Sequence, residues 1–229
     1  MKQLSNIDNL IVLFEDNHII AVNKRVGDIV QGDKTGDNPL SEIAKSFLKK
    51  KYKKPNNVFL GVIHRIDRPT SGVVIFAKTS KSLKRLNNMI KNSEVEKLYW
   101  AITKNKPEKT NGTLVHWLKK NSRNNKSTHF KNETENSKKA ILHYKVINEL
   151  KNYYLLEVIL ETGRHHQIRT QLSAIGCPIK GDLKYGYERS NKDGGICLHA
   201  KKISFLHPVT KKKILISAPI FEHDIWKEI

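Results

Sequence analysis

Residues 58–78 read VFLGVIHRIDRPTSGVVIFAK. The two apolar runs, VFLGVI (58–63) and SGVVIFAK (71–78), are short and bounded by turn residues, so each reads as a buried strand. Between them HRIDRPT is polar and carries Pro69, and Gly72 follows it, which makes a turn held by two strands. Reactive groups concentrate on loops held by a rigid scaffold. This turn carries one carboxylate, Asp67, between Arg65 and Arg68 and beside His64. Cationic neighbours favour the ionised form that a nucleophile or general base needs. An aspartate that caps the turn, or pairs with Arg68 at the surface, explains the same residues.

Outward from this turn, LIVLFEDNHIIAVNK (10–24) holds two β-branched runs around Glu15-Asp16-Asn17 and reads as paired strands. Asn38-Pro39 opens a helix with Leu40, Ile43, Ala44, Phe47 and Leu48 on one face, followed by a basic loop, KKKYKKPNN. Leu83, Leu86, Met89 and Ile90 mark a second amphipathic helix, and EKLYWAIT and GTLVHWL read as strands. Residues 119–139 are almost free of apolar side chains and read as a long surface loop or a mobile one. ILHYKVI and YYLLEVILE are strands, with Thr162-Gly163 ending the second. A third helix carries Ile168, Leu172 and Ile175, with Gly176 as its stop. KKISFLH and KKILISAP are the last strands, before a short terminal helix. Strands outnumber helices and follow one another in hairpin-like runs. The expected fold is α+β, a mainly antiparallel mixed sheet flanked by helices.

The chain has 229 residues, and no composition break divides it, so a single domain over 1–229 is expected. Lys and Arg number 42 against 22 Asp and Glu, a net charge of +20 that favours polyanionic partners. No apolar stretch is long enough to cross a membrane, and the N-terminal apolar run is too short for a secretory signal. Cys177 and Cys197, the only cysteines, make neither a disulfide framework nor a Cys-rich zinc site, and a reducing cytoplasm is the simplest compartment. The chain has no internal repeat, no GxGxxG and no GxxxxGK[ST]. His165-His166 is the one pair that suggests a metal, and sequence neighbours on a helix diverge, so no metal site is expected.

HRIDRPTSGVVIFAK (64–78) closely resembles the signature of the RluA-type pseudouridine synthases. EDNHIIAVNK resembles that family's N-terminal strand pair, TGRHHQIRTQLSAIGCPIKGDLKYG (162–186) its second long motif, and LHAKKISFLHPVTKKKILISAP (198–219) its C-terminal strands. The resemblance covers about residues 10–220. Two positions depart from it: Lys24 is followed by Arg25 where Pro is usual, and Gln171 stands where many members have His. The small N-terminal RNA-binding domain of some relatives is not expected, because the catalytic pattern starts near residue 10.

The resemblance implies the pseudouridine synthase catalytic fold and isomerisation of uridine in ribosomal or transfer RNA, with no cofactor and no metal. It makes Asp67 the catalytic aspartate, Arg169 its cationic partner, and Tyr99 of the Lys97-Leu98-Tyr99 segment the residue that stacks on the uracil or helps to remove its carbon 5 proton. It assigns His64, Arg65, Arg68, Arg164, Ile168 and Leu198 to substrate and RNA binding, His64 as a hydrogen bonder that shapes the motif. RNA is the implied partner of a cytoplasmic monomer with no obligate protein partner. An RNA-binding or chaperone protein that has lost catalysis is the alternative on the same fold, and a hydrolase using Asp67 as general base is a third reading.

Overall fold

The computed structural model describes residues 3–33, 35–221 and 224–229. In chain order the elements are β1 (Val12–Glu15), β2 (Ile19–Lys24), α1 (Leu40–Lys51), β3 (Gly61–Val62), β4 (Ser71–Ala77), α2 (Ser80–Lys91), β5 (Glu96–Thr103), β6 (Asn111–Asn121), β7 (Lys126–Phe130), β8 (Lys138–Glu149), β9 (Tyr154–Leu160), α3 (Gln167–Ala174), β10 (Leu198–Leu206) and β11 (Lys213–Ser217). Short 3-10 turns lie at Leu183–Tyr185 and Asp224–Glu228. The fold is α+β. The chain divides into two compact units, Met1–Val95 with Ala200–His223, and Glu96–His199 with Asp224–Ile229.

In the first unit β2 lies between β1 and β4, antiparallel to both. Every residue of β2 and of β4 is buried, which explains their unbroken apolar runs. Asp16 makes the β1–β2 turn by accepting from the backbone N–H of His18 and of Ile19 at 2.7 and 2.8 Å. The helix after Pro39 buries Leu40, Ile43, Ala44 and Leu48 as its apolar spacing demands, and it runs on through Lys51, so the basic stretch begins as the last helical turn. Cations there complement the helix C-terminus. Thr79 caps α2 by accepting from the Ser82 N–H at 3.1 Å. The run 58–63 is corrected: only Gly61 and Val62 are strand. They lie opposite Ala77 and Phe76, where β4 ends, so residues 58–60 run past the last available partner.

Glu15 gathers charge in this unit. Its carboxylate accepts from Lys51 Nζ at 2.7 Å, Lys78 Nζ at 2.8 Å and the Tyr52 hydroxyl at 2.8 Å. Burial would raise its pKa, but those donors outweigh it and pull the carboxyl down to about 2. A carboxyl depressed in the folded state stabilises the protein above its unfolded pKa and loses that contribution as pH falls toward the folded value. The stability gap between wild type and Glu15→Gln is therefore expected to be about 3 kcal/mol near neutrality and to close as pH falls from about 5 to 2, as read by urea melts.

The second unit is built on an antiparallel sheet in the order β5-β9-β8-β6-β7. Ala140, Leu142 and Tyr144 of β8, Leu156 and Val158 of β9, and Tyr99 and Ala101 of β5 are buried, as are Ile168 and Leu172 of α3. Gln171, fully buried, donates from its amide to the carbonyl oxygens of Leu114 at 3.0 Å and Ala140 at 3.3 Å, so the residue that departs from the family pattern ties α3 to β6 and β8.

The expectation of a long loop at 119–139 is corrected. Lys119, Lys120 and Asn121 continue β6 and pair with Thr128, Ser127 and Lys126 of β7, and β8 begins at Lys138. A ribbon with polar residues on both faces has no apolar alternation to betray it. Backbone pairing holds it, with Ser127 as the one residue of the 119–130 ribbon that is buried.

Candidate active site

The turn that carries Asp67 is fastened from below. Lys24, at the end of β2, is completely buried, and its ammonium donates to three backbone carbonyls: Arg25 at 2.9 Å, Arg68 at 3.1 Å and Thr70 at 2.7 Å. The Gly27 N–H also donates to the Arg68 carbonyl at 2.8 Å, and the Thr70 N–H to the Asp67 carbonyl at 3.0 Å. An ammonium has three donors and no acceptor, so it satisfies converging carbonyls that an apolar side chain would leave bare. Lys24→Met is expected to cost about 1.5–3 kcal/mol of stability and to loosen residues 67–70, read by thermal melts and by faster amide exchange there.

His64 sits at the turn's entrance, and its Nε2 accepts from the Ile75 N–H at 3.1 Å. That leaves the neutral ring's proton on Nδ1. Gly72 has φ +116°, and a Cβ there would lie 2.4 Å from the Ala200 carbonyl oxygen of β10, so no other residue fits this close approach. Asp67 is half-buried and Arg65 exposed, while Arg68 directs its guanidinium to Asp37 at 2.5 Å.

The second unit holds the other proposed groups. Tyr99 of β5 is buried opposite Val158 of β9, which in turn lies opposite Tyr144 of β8. Ile168 and Leu198 are buried and apolar. Arg164 is exposed, its Nε donating to the Lys139 carbonyl at 2.9 Å.

Arg169 is buried on α3 and gripped by a carboxylate that the sequence reading did not assign. Its Nε donates to Asp182 Oδ2 at 2.7 Å and its Nη2 to Oδ1 at 2.9 Å, with the two residues only 5% and 1% exposed. This two-point fork fixes the guanidinium plane. The Tyr185 ring lies 5.0 Å from the Arg169 guanidinium carbon, a cation–π contact.

Tyr185 also orders the residues before the helix. Its hydroxyl accepts from the Ser127 N–H at 2.7 Å and lies 3.0 Å from His166 Nδ1. Burial, then the Arg169 charge and the neighbouring His165, pushes His166 down to about 2, so its ring is neutral. The two histidines do not diverge on a helix. His166 precedes α3 with φ 52°, and its ring stacks on that of His165 at 3.7 Å between centroids. Asp182 and Tyr185 stand within GDLKYG, so the signal lay in the quoted motif, but nothing in a linear string pairs Asp182 with Arg169. No group of three His, Cys, Asp or Glu suited to a metal occurs among the described residues.

The motifs around Asp67 and Arg169, on an α+β scaffold, are those of the RluA-type pseudouridine synthases. A family model described as RNA pseudouridylate synthase matches residues 18–174, more than half of the chain, and the chain belongs to that family. Among curated relatives, ribosomal large subunit pseudouridine synthase C of Buchnera aphidicola subsp. Baizongia pistaciae is 32% identical over 226 residues, 95% of this chain and 69% of that protein. The protein of the same name from Rickettsia prowazekii is 32% identical over 91% of this chain and 67% of its own length. Among solved structures, human RNA Pseudouridylate Synthase Domain Containing 4 shares the fold with a TM-score of 0.77 and 21% identity, over 93% of this chain and 89% of that one. The chain is an RNA pseudouridine synthase, an isomerase converting uridine in RNA to pseudouridine. No helix among the described residues is long and apolar enough to cross a membrane.

Proposed function

We propose that this enzyme acts on ribosomal RNA and that Asp67, Tyr99 and Arg169 are its catalytic residues. Support for the ribosomal target comes from relatives named ribosomal large subunit pseudouridine synthase C, which align with nine tenths or more of the chain. The observation that carries the catalytic role of Asp67 is its turn, immobilised by a fully buried ammonium on three carbonyls. Such preorganisation is what a reacting group needs and what a solvated surface turn has no use for.

In the proposed reaction the target uridine is swung out of its strand, at a cost of a few kcal/mol. The Asp67 carboxylate attacks the anomeric carbon of the ribose or carbon 6 of uracil, or takes a ribose proton to open a glycal route. The carbon–nitrogen bond breaks, the base turns, a carbon–carbon bond forms at carbon 5, and the proton of carbon 5 is removed with help from the Tyr99 hydroxyl. Atoms and oxidation state are conserved throughout. Arg169 serves as the cationic partner of the catalytic carboxylate, and its fork with Asp182 holds the guanidinium rigid. Arg65, Arg68 and Arg164 hold phosphates, His64 shapes the turn, and Ile168 and Leu198 wall the base. The enzyme works in the cytoplasm as a monomer, without an obligate protein partner.

Carbodiimide-based mapping of pseudouridine across cellular RNA, with and without the gene, tests the assignment. Loss of one modified position in ribosomal RNA is expected. An unchanged map would turn the reading toward an RNA chaperone. Tyr99→Phe separates ring from hydroxyl: near wild-type turnover leaves the hydroxyl no part in the proton transfer, whereas a loss of about 10²-fold or more gives it that part.

A further inference from the structure

A lysine carried out of water needs counter-groups, and Lys24 has three carbonyls. Lys97, in the second unit, has no such set. Among the described residues its ammonium makes no hydrogen bond, ion pair or ring contact. It stands half-buried on β5, on the face that also carries Tyr99. Register puts it at the end of an apolar row. Leu160 of β9 lies opposite it, Leu142 of β8 opposite Leu160, and Leu114 of β6 opposite Leu142. Tyr99 heads the next row, followed by Val158 and Tyr144.

The side chain ends beside the turn that leads into α3, the helix of Arg169. A Cβ at Gly163 would lie 3.7 Å from Lys97 Nζ and meet no other atom beyond its chain neighbours. Glycine at 163 therefore leaves open ground in front of the amine. Burial holds the Lys97 pKa below the ordinary lysine range. No carboxylate of this unit opposes that shift: Glu161, at the end of β9, turns to His143 at 2.6 Å, and Asp182 is taken by Arg169. A lysine kept from water without a counter-charge releases its proton readily, and the neutral amine is a base.

We propose that Lys97 is the base that takes the proton from carbon 5 of the uracil. The inference deepens the catalytic reading above and rests on it. Once carbon 5 is bonded to the ribose, its bond to hydrogen breaks and the electron pair forms the double bond to carbon 6. The proton passes to Nζ, which becomes an ammonium. Ring nitrogen 1, freed from the ribose, takes up a proton from water, and the ammonium returns one to water. Protons and electrons balance, and the amine is restored. Tyr99, on the adjoining row, supports the transfer with its hydroxyl.

The test is single-turnover conversion of ribosomal RNA transcribed in vitro, at saturating enzyme, with uridine carrying hydrogen or deuterium at carbon 5. Lys97→Met removes the amine and keeps an unbranched apolar chain. Lys97→Arg keeps the charge but cannot act as a base near neutrality. Both are expected to lose about 10²- to 10⁴-fold in rate and to show a primary deuterium isotope effect, because proton removal becomes the slow step. Lys97→Met is expected to melt no lower than the wild type, since it takes an unanswered charge off an apolar row. A wild-type rate in either variant overturns the proposal, as does a slowed variant without the isotope effect. So does a lowered melting temperature in Lys97→Met with a rate that follows the folded fraction, which makes the lysine structural. A loss confined to RNA affinity, with the saturated rate unchanged, makes it a phosphate contact and overturns the base. A wild type that converts no uridine sinks the catalytic reading itself and this inference with it, whereas contrary results in the variants alone leave that reading standing.

Discussion

Asp67→Asn is expected to lower single-turnover isomerisation by at least about 10⁴-fold while leaving the melting temperature near that of the wild type. The substitution keeps the size of the side chain and removes its charge and nucleophilicity. The turn does not depend on that charge for its shape, because Lys24 grips the carbonyls of Arg68 and Thr70, and Thr70 N–H bonds to the Asp67 carbonyl. Nor does the change strip Arg169 of a carboxylate, since Asp182 holds it through two hydrogen bonds. A folded Asp67→Asn protein that still converts uridine at a tenth of the wild-type rate would remove Asp67 from the chemistry. Retained RNA binding together with lost turnover would separate the catalytic role from an RNA-holding one.

Breaking the Arg169–Asp182 fork is the change expected to cost most in stability. Arg169→Ala strands the carboxylate of Asp182, only 1% exposed, without its cation. Removing one partner of such a buried pair costs about 3–5 kcal/mol, a large share of a domain's stability. Chemical denaturation should show the same order of loss for Asp182→Ala, and less than the sum of the two for the double variant. Arg169→Lys distinguishes a structural role from a catalytic one. It keeps the charge but not the planar fork. If Arg169 only holds α3 to the 181–186 segment, activity should follow the folded fraction. If it also keeps the catalytic carboxylate ionised, turnover at a fully folded temperature should fall by about 10²-fold or more, and the pH profile should shift upward on its acidic limb.

The parts of the fold that were legible are those in which near neighbours decide the outcome. Residues 71–77 form a strand because consecutive β-branched and apolar side chains are buried on both faces. α1 and α2 follow from apolar spacing of three and four residues, and the end of α3 from Gly176 at φ +73°. The hairpin at 119–130 was illegible for the opposite reason. Its pairing is made by main-chain groups common to every residue, and its polar side chains carry no alternation. Residues 58–60 have strand-like composition, but β4 ends before it can pair with them.

By itself, the amino-acid order determined an α+β fold, a lone carboxylate in a turn between strands, and the family whose motifs surround it. Those are properties of short segments, set by side-chain shape and local backbone preference. Tertiary structure alone decided which groups answer the buried charges. Lys24 meets the carbonyl of Thr70 across 46 positions, and Arg169 meets Asp182 across 13. A charge leaves water only when its counter-groups close around it together, and that closure exists only once distant segments have folded into the same dry interior.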